Sequence, residues 1–177
     1  MAVKASAHKA ICFAPLASRQ PRTLILGSMP GVKSLQEQQY YAHPQNSFWK
    51  IMGKLFAAST DTYKQRIELI KDNDLALWDV LQCCTRQGSL DAKISPDSIE
   101  VNDFSAFLKK HAAVTRIFFN GATAEKEFTR RVLPGLPQNI KTRLSLKRLP
   151  STSPAHAGLR VEKKIKEWSV LISPVRA

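Results

Sequence analysis

The sequence predicts an α/β fold with three layers, α/β/α, in which helices cover both faces of a central, four-stranded, mainly parallel sheet. Short apolar runs of the kind that is buried in parallel sheets alternate along the chain with stretches of helical periodicity. The first of these runs is followed at once by Gly and Pro residues, which end a strand and begin a loop. Alternation of this kind favours a parallel sheet with helices on both faces.

Four apolar runs are predicted to form the strands of the sheet. They span residues 23–26, 75–80, 114–120 and 144–149. Loops with polar or Gly-rich and Pro-rich sequences follow the first, third and fourth runs, and we expect all three loops to open at the same edge of the sheet. In open α/β sheets, ligands bind at this edge.

Five helices are predicted between and after these strands. The clearest carries apolar side chains at helical spacing on one face, namely Phe48, Ile51, Met52, Leu55 and Phe56. The others are residues 62–71, a helix capped by Asp103 that carries Phe104, Phe107 and Leu108, residues 122–132, and a basic C-terminal helix marked by Val161, Ile165, Trp168 and Ile172.

The net charge of the chain is its unusual compositional feature. The 177 residues fit one domain, residues 1–177, with an ordinary hydrophobic content of 44% but a net charge of +13 and a pI near 10.0. Residues 61–103 carry a net charge of −4, whereas residues 1–60, 104–140 and 141–177 carry +6, +4 and +7. If the two ends fold together, they form a positive face suited to a phosphate backbone. The alternative is a generally basic, soluble protein.

Cysteine use and hydropathy indicate a cytoplasmic protein. Cys12, Cys83 and Cys84 form neither a disulfide framework nor a four-thiolate cluster site, and we interpret them as small core residues. The apolar stretch at residues 10–17 is short and contains Pro15, unlike a secretory signal. No segment approaches the roughly 20 apolar residues of a membrane span. We therefore expect a monomer with no metal, no cofactor and no membrane partner.

The loop after the first strand offers groups that suit a flat, neutral ligand such as a nucleobase. Its glycines, Gly27 and Gly31, let a backbone approach a ligand closely, although a structural tight turn would also explain them. Tyr40 and Tyr41 could stack on a base or could pack under the loop. The Lys-Ser/Thr element of a phosphate loop is absent, and Glu37 is the loop's only carboxylate.

Two asparagines are candidates for binding such a ligand. Asn46 lies just before the helix of Phe48, where it could act on the ligand or simply cap the helix. Asn120 ends the third strand, and its amide can both donate and accept, as the O6 and N1–H edge of hypoxanthine requires. Capping the next helix is the alternative for Asn120. His43 could donate a proton to a purine or could brace the loop.

The loop after the fourth strand, residues 150–156, is rich in Ser, Thr and Pro. Its hydroxyl and backbone N–H groups could meet DNA phosphates, or it could be an ordinary turn into a helix. The charges around it favour DNA contact; they are Lys147, Arg148, Arg160, Lys163 and Lys164. Arg86, after the second strand, is a further candidate phosphate contact, and Asp91 is interpreted as organising its loop.

Together these segments resemble the motifs of the uracil-DNA glycosylase superfamily. Its first motif is similar to GSMPG at residues 27–31, and its second, a DNA-penetrating loop, is similar to PSTSP at residues 150–154. The hypoxanthine-DNA (deoxyinosine) glycosylase branch is the most similar. It shares GSMPG, the YY-x-HP-x-N-x-FW run beginning at Tyr40, WDVL-x-C at residues 78–83, GSLD at residues 88–91 and the NG that follows the third strand.

The resemblance implies a DNA repair enzyme that flips a deaminated base out of double-stranded DNA and hydrolyses its N-glycosidic bond, with hypoxanthine as the expected base. The alternatives are a mismatch-specific uracil or thymine glycosylase and a non-catalytic nucleic-acid-binding module. Ser28 stands where most branches carry Asp or Asn, so no carboxylate is identified as the base. The expected catalytic residues are Asn46, Asn120 and Ser28. The residues expected to bind the base are Gly27, Met29, Pro30, Gly31, Tyr41, Tyr40 and His43. The residues expected to bind DNA outside the base pocket are Ser151, Thr152, Ser153, Pro154, Ala155, His156, Arg86 and Lys163. Among these, Ser153, Pro154 and Ala155 are the candidates for a wedge that fills the vacated stack.

Overall fold

The computed structural model of the protein describes residues 8–173. Its strands, in chain order, are β1 (His8–Ile11), β2 (Leu16–Ala17), β3 (Thr23–Gly27), β4 (Leu75–Asp79), β5 (Leu81–Arg86), β6 (Glu100–Val101), β7 (Arg116–Asn120) and β8 (Ser145–Leu149). The central sheet has the order β2-β4-β3-β7-β8. Strands β4, β3, β7 and β8 are parallel, which confirms the predicted sheet, and β2 adds a short antiparallel edge.

A second sheet, which the sequence did not suggest, has the antiparallel order β1-β5-β6. Only Val80 separates β5 from β4, so the chain passes directly from the central sheet into the second one. The second sheet places residues 86–94 beside the carboxyl edge of the central sheet, because β5 leads away from that edge and the following loop returns to it.

The helices are α1 (Val32–Glu37), α2 (Phe48–Phe56), α3 (Tyr63–Asp72), α4 (Phe104–Lys110), α5 (Ala122–Glu127), α6 (Gln138–Lys141) and α7 (Val161–Trp168). All five predicted helices are present. A π-helical turn, Phe128–Val132, continues α5, and a 3-10 turn, Ser169–Ile172, continues α7. The predicted cap of α4 is confirmed, since the Asp103 carboxylate accepts a hydrogen bond from the N–H of Ala106 at 2.9 Å.

Side chains of β3 alternate between two apolar layers, one on each face of the central sheet. Leu24 and Leu26 pack with α4 and α5 on one face, whereas Ile25 packs with α2, α3 and α7 on the other. This arrangement confirms the three layers. On the second face Phe48 of α2 meets Trp168 of α7 edge to face, with ring centroids 5.7 Å apart, so the two basic ends of the chain do pack together.

The three cysteines are free thiols. Cys83 and Cys84 are buried, as expected of core residues, while Cys12 is half-buried and its pKa is raised by burial to about 11. Within residues 8–173 no helix is long and apolar enough to cross a membrane. No cluster of three or more His, Cys, Asp or Glu side chains in that range is arranged to hold a metal ion.

Candidate active site

A cavity of about 1240 Å³ opens at the carboxyl edge of the parallel strands. The three loops that follow β3, β7 and β8 all line it, as the sequence predicted. The end of β4 and the loop after β5 also contribute, through Asp79 and residues 89–92. The cavity therefore collects residues from every parallel strand of the central sheet.

Three carbonyl groups of the loop after β3 accept hydrogen bonds from other residues of the protein. The carbonyl oxygens of Gly27 and Ser28 accept hydrogen bonds from Val80 and Leu81, at 2.8 and 3.1 Å, and that of Pro30 accepts one from Arg86. The N–H groups of Met29 and Gly31 donate to no other described residue. Both residues line the cavity.

Gly27 allows a close approach that another residue would prevent. A Cβ atom at this position would lie 2.5 Å from Oδ1 of Asp79 and 3.0 Å from the hydroxyl of Tyr41. The missing side chain thus lets a carboxylate from β4 and an aromatic ring from the first loop converge at the end of β3.

Tyr41 and Tyr40 have different environments. Tyr41 has a left-handed backbone with φ of 52°, which is costly for a bulky side chain, and its ring stacks on Phe48 with centroids 4.0 Å apart. Tyr41 also lines the cavity. Tyr40 is 4% exposed, packs edge-on against Phe13 and donates its hydroxyl to the carbonyl of Ala14. Tyr40 also lines the cavity but is held in the packing beneath the loop, and its place among the base-binding residues stays a prediction.

Asn46 both caps a helix and lines the cavity. Its Oδ1 accepts a hydrogen bond from the N–H of Phe48 at 3.0 Å, at the start of α2. Its Nδ2 makes no hydrogen bond within residues 8–173. The two interpretations of Asn46 are thus compatible, because the oxygen holds the helix and the NH₂ group remains available. His43 also lines the cavity, and its Nδ1 accepts from the N–H of Gln45 at 3.2 Å, so the imidazole braces the loop.

Asn120 is held by the loop that follows β8. Its Nδ2 donates to the hydroxyl of Thr152 and its Oδ1 accepts from the N–H of Thr152. This pairing leaves one N–H and one lone pair of the amide, and the hydroxyl of Tyr41 lies beside them. Thr152 is 1% exposed and therefore holds Asn120 instead of meeting DNA, which corrects its expected place among the DNA-binding residues.

Ser28 is paired with a carboxylate from another loop. Its hydroxyl donates to Oδ2 of Asp91 at 2.6 Å, and both residues line the cavity. The interpretation of Asp91 as a loop-organising residue is confirmed, and the structure adds that its side chain is 32% exposed at the cavity. Burial raises the pKa of Asp91, while Ser28 and the guanidinium of Arg86 oppose that rise.

The prediction that Arg86 contacts DNA phosphates is wrong. Its side chain is fully buried, donates to the carbonyl of Pro30 and lies 3.8 Å from Asp91. A buried guanidinium of this kind holds two loops together and cannot reach a phosphate at the surface. Lys164, one of the charges flanking residues 150–156, is likewise buried, and its ammonium donates to the carbonyl of His156 at 3.0 Å.

Asp79 is a functional candidate that the sequence analysis missed. It ends β4, lines the cavity and is only 3% exposed, and its Oδ2 has no hydrogen-bond partner among the described residues. Burial raises its pKa to about 7; the nearby Asp91 adds to this rise and Arg86 opposes it. The available signal was a carboxylate at the carboxyl end of a buried strand, the same signal that identified Asn120.

The rest of the last loop lies at the mouth of the cavity. Ser151, Ser153, Pro154, Ala155 and His156 all line it, and Ala155 and His156 are exposed. The hydroxyl of Ser153 accepts from the N–H of Ala155 at 3.2 Å, which fixes a short helical turn. Lys163 is exposed on α7 outside the cavity wall, where it remains available to a long ligand.

Comparison with known proteins identifies the family of this chain. Residues 14–171 match the model of the uracil DNA glycosylase superfamily. The chain belongs to that superfamily. Two proteins named hypoxanthine DNA glycosylase are similar to it: one from Methanosarcina barkeri, 36% identical over 62% of this chain and 69% of that protein, and one from Methanosarcina acetivorans, 31% identical over 90% of this chain and 95% of that protein.

A solved structure agrees with this assignment. The solution NMR structure of a Methanosarcina acetivorans protein, described as a candidate uracil DNA glycosylase, has a TM-score of 0.75 at 30% identity and covers 92% of this chain and 96% of its own. The superfamily resemblance predicted from the motifs is confirmed. The first motif of this chain contains Ser28 and no carboxylate. The carboxylate beside Ser28 is that of Asp91, from the loop after β5.

Proposed function

We propose that the protein is a DNA glycosylase that excises hypoxanthine from double-stranded DNA by hydrolysing its N-glycosidic bond. One observation carries the proposal: the unpaired Nδ2 of Asn46, the amide of Asn120 that Thr152 holds and the ring of Tyr41 all line one cavity. The names of the two Methanosarcina relatives support hypoxanthine as the base. We further propose that it acts as a single-domain monomer in the cytoplasm.

Binding to DNA would depend on the basic character of the protein. A net charge of +13 attracts the phosphate backbone, and affinity falls steeply as salt is added because counterions are released on binding. The target nucleotide must then leave the stack, which costs a few kcal/mol and costs least for a mispaired base. A hypoxanthine opposite thymine is such a base.

In this proposal the flipped base stacks on the ring of Tyr41, since stacking on an aromatic ring contributes about 1–3 kcal/mol. The free donor and acceptor of Asn120 match the O6 and N1–H of hypoxanthine. The unpaired N–H groups of Met29 and Gly31 are further donors for base oxygen or nitrogen atoms. Three sides of the cavity thus recognise the base by shape and hydrogen bonding.

The chemical step would use an amide and a carboxylate. The C1′–N9 bond breaks with its electron pair going to the base, the oxygen of water bonds to C1′, and a proton of that water passes to a carboxylate. Asp91 suits this last role better than Asp79, because its side chain is 32% exposed at the cavity whereas Asp79 is 3% exposed. Nδ2 of Asn46 donates to the water or to developing negative charge, as preorganised dipoles do in other enzymes.

Strand cleavage tests the proposal. The purified protein is incubated with labelled duplexes that carry one hypoxanthine, uracil, mismatched thymine or xanthine, and alkali then cuts abasic sites. We expect cleavage mainly at hypoxanthine. Cleavage mainly at uracil or mismatched thymine would replace the substrate, and salt-dependent binding without any cleavage would indicate a non-catalytic binding module.

A further inference from the structure

Asp79 and Asn120 lie on either side of Gly27 where the parallel strands end. Gly27 pairs in register with Asp79 of β4, and Leu26 pairs with Phe119 of β7, so Asn120 is level with Gly27. Neighbouring strands are about 4.8 Å apart, which places the Cα atoms of Asp79 and Asn120 roughly 10 Å apart. Because Gly27 has no side chain, no side chain of β3 stands between the two polar groups.

The side chains of Asp79 and Asn120 also belong to the same face of the sheet. Residues two positions apart on a strand share a face. Leu77, two residues before Asp79, and Phe118, two residues before Asn120, both pack in the apolar layer with α2 and α7. Tyr41 packs against the same layer, and it lines the cavity together with Asp79 and Asn120. A base stacked on Tyr41 therefore has a polar group on each side.

The carboxyl of Asp79 is buried at the cavity wall without a hydrogen bond to stabilise its charge. Its Oδ2 has no hydrogen-bond partner among residues 8–173. Its Oδ1 and the hydroxyl of Tyr41 lie 2.5 and 3.0 Å from the point that a Cβ atom of Gly27 would occupy. A buried carboxyl that receives no hydrogen bond favours its neutral, protonated form.

The charged groups around Asp79 also favour a proton on its carboxyl. Asp91, from the loop after β5, and the buried Arg86 of β5 face it, so two carboxyl groups share one guanidinium. Asp91 is the more exposed of the two and accepts a hydrogen bond from Ser28. The proton of the pair therefore stays on Asp79, whose pKa is raised by burial to about 7. The other titratable groups nearby are neutral side chains: Tyr40, Tyr41 and Cys12.

The departing base accepts an electron pair, and no residue of the proposed mechanism yet supplies it with a proton. Protonation of a ring nitrogen makes the base a better leaving group. In hypoxanthine, the ring nitrogen N7 lies next to O6, the oxygen that Asn120 is proposed to bind. Uracil and thymine have a carbon at the corresponding place. A donor beside the group that binds O6 would therefore act on a purine and not on a pyrimidine.

We infer that Asp79, in its protonated form, is the general acid that donates a hydrogen bond to N7 of hypoxanthine and transfers its proton as the C1′–N9 bond breaks. This inference rests on the proposed glycosylase function. The O–H bond of Asp79 breaks, an N7–H bond forms, and the base leaves neutral with the former glycosidic electron pair on N9. The proton that Asp91 takes from water leaves one proton on the two carboxyl groups, as before the reaction.

Single-turnover cleavage of a hypoxanthine duplex by Asp79→Asn between pH 5 and 9 tests this inference. The amide has nearly the shape of a protonated carboxyl but no proton to transfer, so the rate at pH 6 should fall about 100-fold or more. The wild-type rate should decrease as the pH rises through about 7, where Asp79 loses its proton, and the variant should lack this decrease. The exposed Asp97→Asn is the control and should keep the wild-type rate and profile. A wild-type rate and profile in Asp79→Asn would overturn the inference and leave the proposed function intact.

Binding measurements test the hydrogen bond to N7 apart from cleavage. Two duplexes carry a 2′-fluorinated target nucleotide, which resists cleavage, with either hypoxanthine or its 7-deaza analogue, in which C–H replaces N7. The wild-type protein should bind the hypoxanthine duplex about 5- to 10-fold more tightly, the factor for one hydrogen bond. Asp79→Leu, which has a similar volume and no donor, should bind both duplexes equally. This comparison holds even if the wild-type protein cleaves no duplex, and a preference of the same size in both proteins would contradict the inference.

Discussion

Asn120 and Thr152 hold each other through two hydrogen bonds, each 2.9 Å long, that join the end of β7 to the loop after β8. The amide of Asn120 uses one donor and one acceptor in this pairing and keeps one of each. The orientation of the amide is thereby set before a base arrives. A base that carries an N–H next to a C=O can pair with the remaining donor and acceptor of the amide. This pairing requires that Thr152 prevents rotation of the amide.

Replacing Thr152 by Val should weaken base recognition. The variant keeps the backbone N–H but loses the hydroxyl that accepts from Nδ2, and a hydrogen bond of this kind contributes about 1 kcal/mol. We expect kcat/KM on a hypoxanthine duplex to fall roughly 5- to 10-fold. Thr152→Ser, which keeps the hydroxyl, is the control and should retain most of the activity. Equal losses in both variants would mean that packing, not the hydroxyl, is what matters at this position.

Substitutions can separate the two roles of Asn46, the acceptor at the start of α2 and the donor in the cavity. Asn46→Asp keeps an oxygen that caps α2 but loses the Nδ2 donor, so it should fold with near wild-type stability and lose most of the cleavage activity. Asn46→Ala should lose activity and also about 1 kcal/mol of the free energy of unfolding. Thermal unfolding and single-turnover cleavage measure the two effects. An active Asn46→Asp enzyme would show that the amide donor is not needed.

Ser28→Ala should shift the pH dependence of cleavage. The hydroxyl of Ser28 stabilises the ionised form of Asp91, so its removal raises the pKa of Asp91 further. If ionised Asp91 accepts the proton of water, the acidic limb of the rate profile moves to higher pH in the variant. Asp91→Asn should lose that limb together with most of the rate. An unchanged profile in Ser28→Ala would exclude Asp91 as the proton acceptor.

The buried carboxyl of Asp79 should make the protein less stable as the pH rises. Its pKa is about 7 in the folded protein and near 3.8 in an unfolded chain, so between these values the folded state holds a proton that the unfolded state does not. Relative to Asp79→Asn, the free energy of unfolding of the wild type should fall with pH by up to about 1.4 kcal/mol per pH unit. Urea unfolding at pH 5, 6 and 7 measures this slope. Asp97→Asn, at an exposed site, is the control, and the absence of a slope would place the Asp79 pKa near its ordinary value.

Much of the fold could be predicted because its signals are local. The apolar run before Gly27, the helical spacing from Phe48 to Phe56 and the cap at Asp103 each reflect interactions within a few residues. The second sheet had no such signal, since β1 pairs with a strand more than 70 residues away. Its strands are short, and their sequences do not alternate clearly between apolar and polar residues.

The site residues that could be predicted lie in or beside the loops that follow strands. Contacts between residues from distant segments of the chain could not be predicted. Asn46 and Tyr41 lie in such a loop and Asn120 ends the strand before one, and the structure brings all three to one cavity. The pairing of Ser28 with Asp91, 63 residues away, depends on the path of the second sheet. Arg86 shows the reverse error, because a charged residue after a strand was expected at the surface and is instead buried between two loops.

The strand order β2-β4-β3-β7-β8 also has a consequence for how the protein acquires activity. Strand β3 comes early in the sequence but lies at the centre of the sheet, between β4 and β7, which are synthesised later. Contacts between distant residues form slowly. The cavity needs the ends of all four parallel strands and the docking of Thr152, so no partly folded chain contains it. The rate at which cleavage activity recovers during refolding therefore reports the rate at which the sheet is completed.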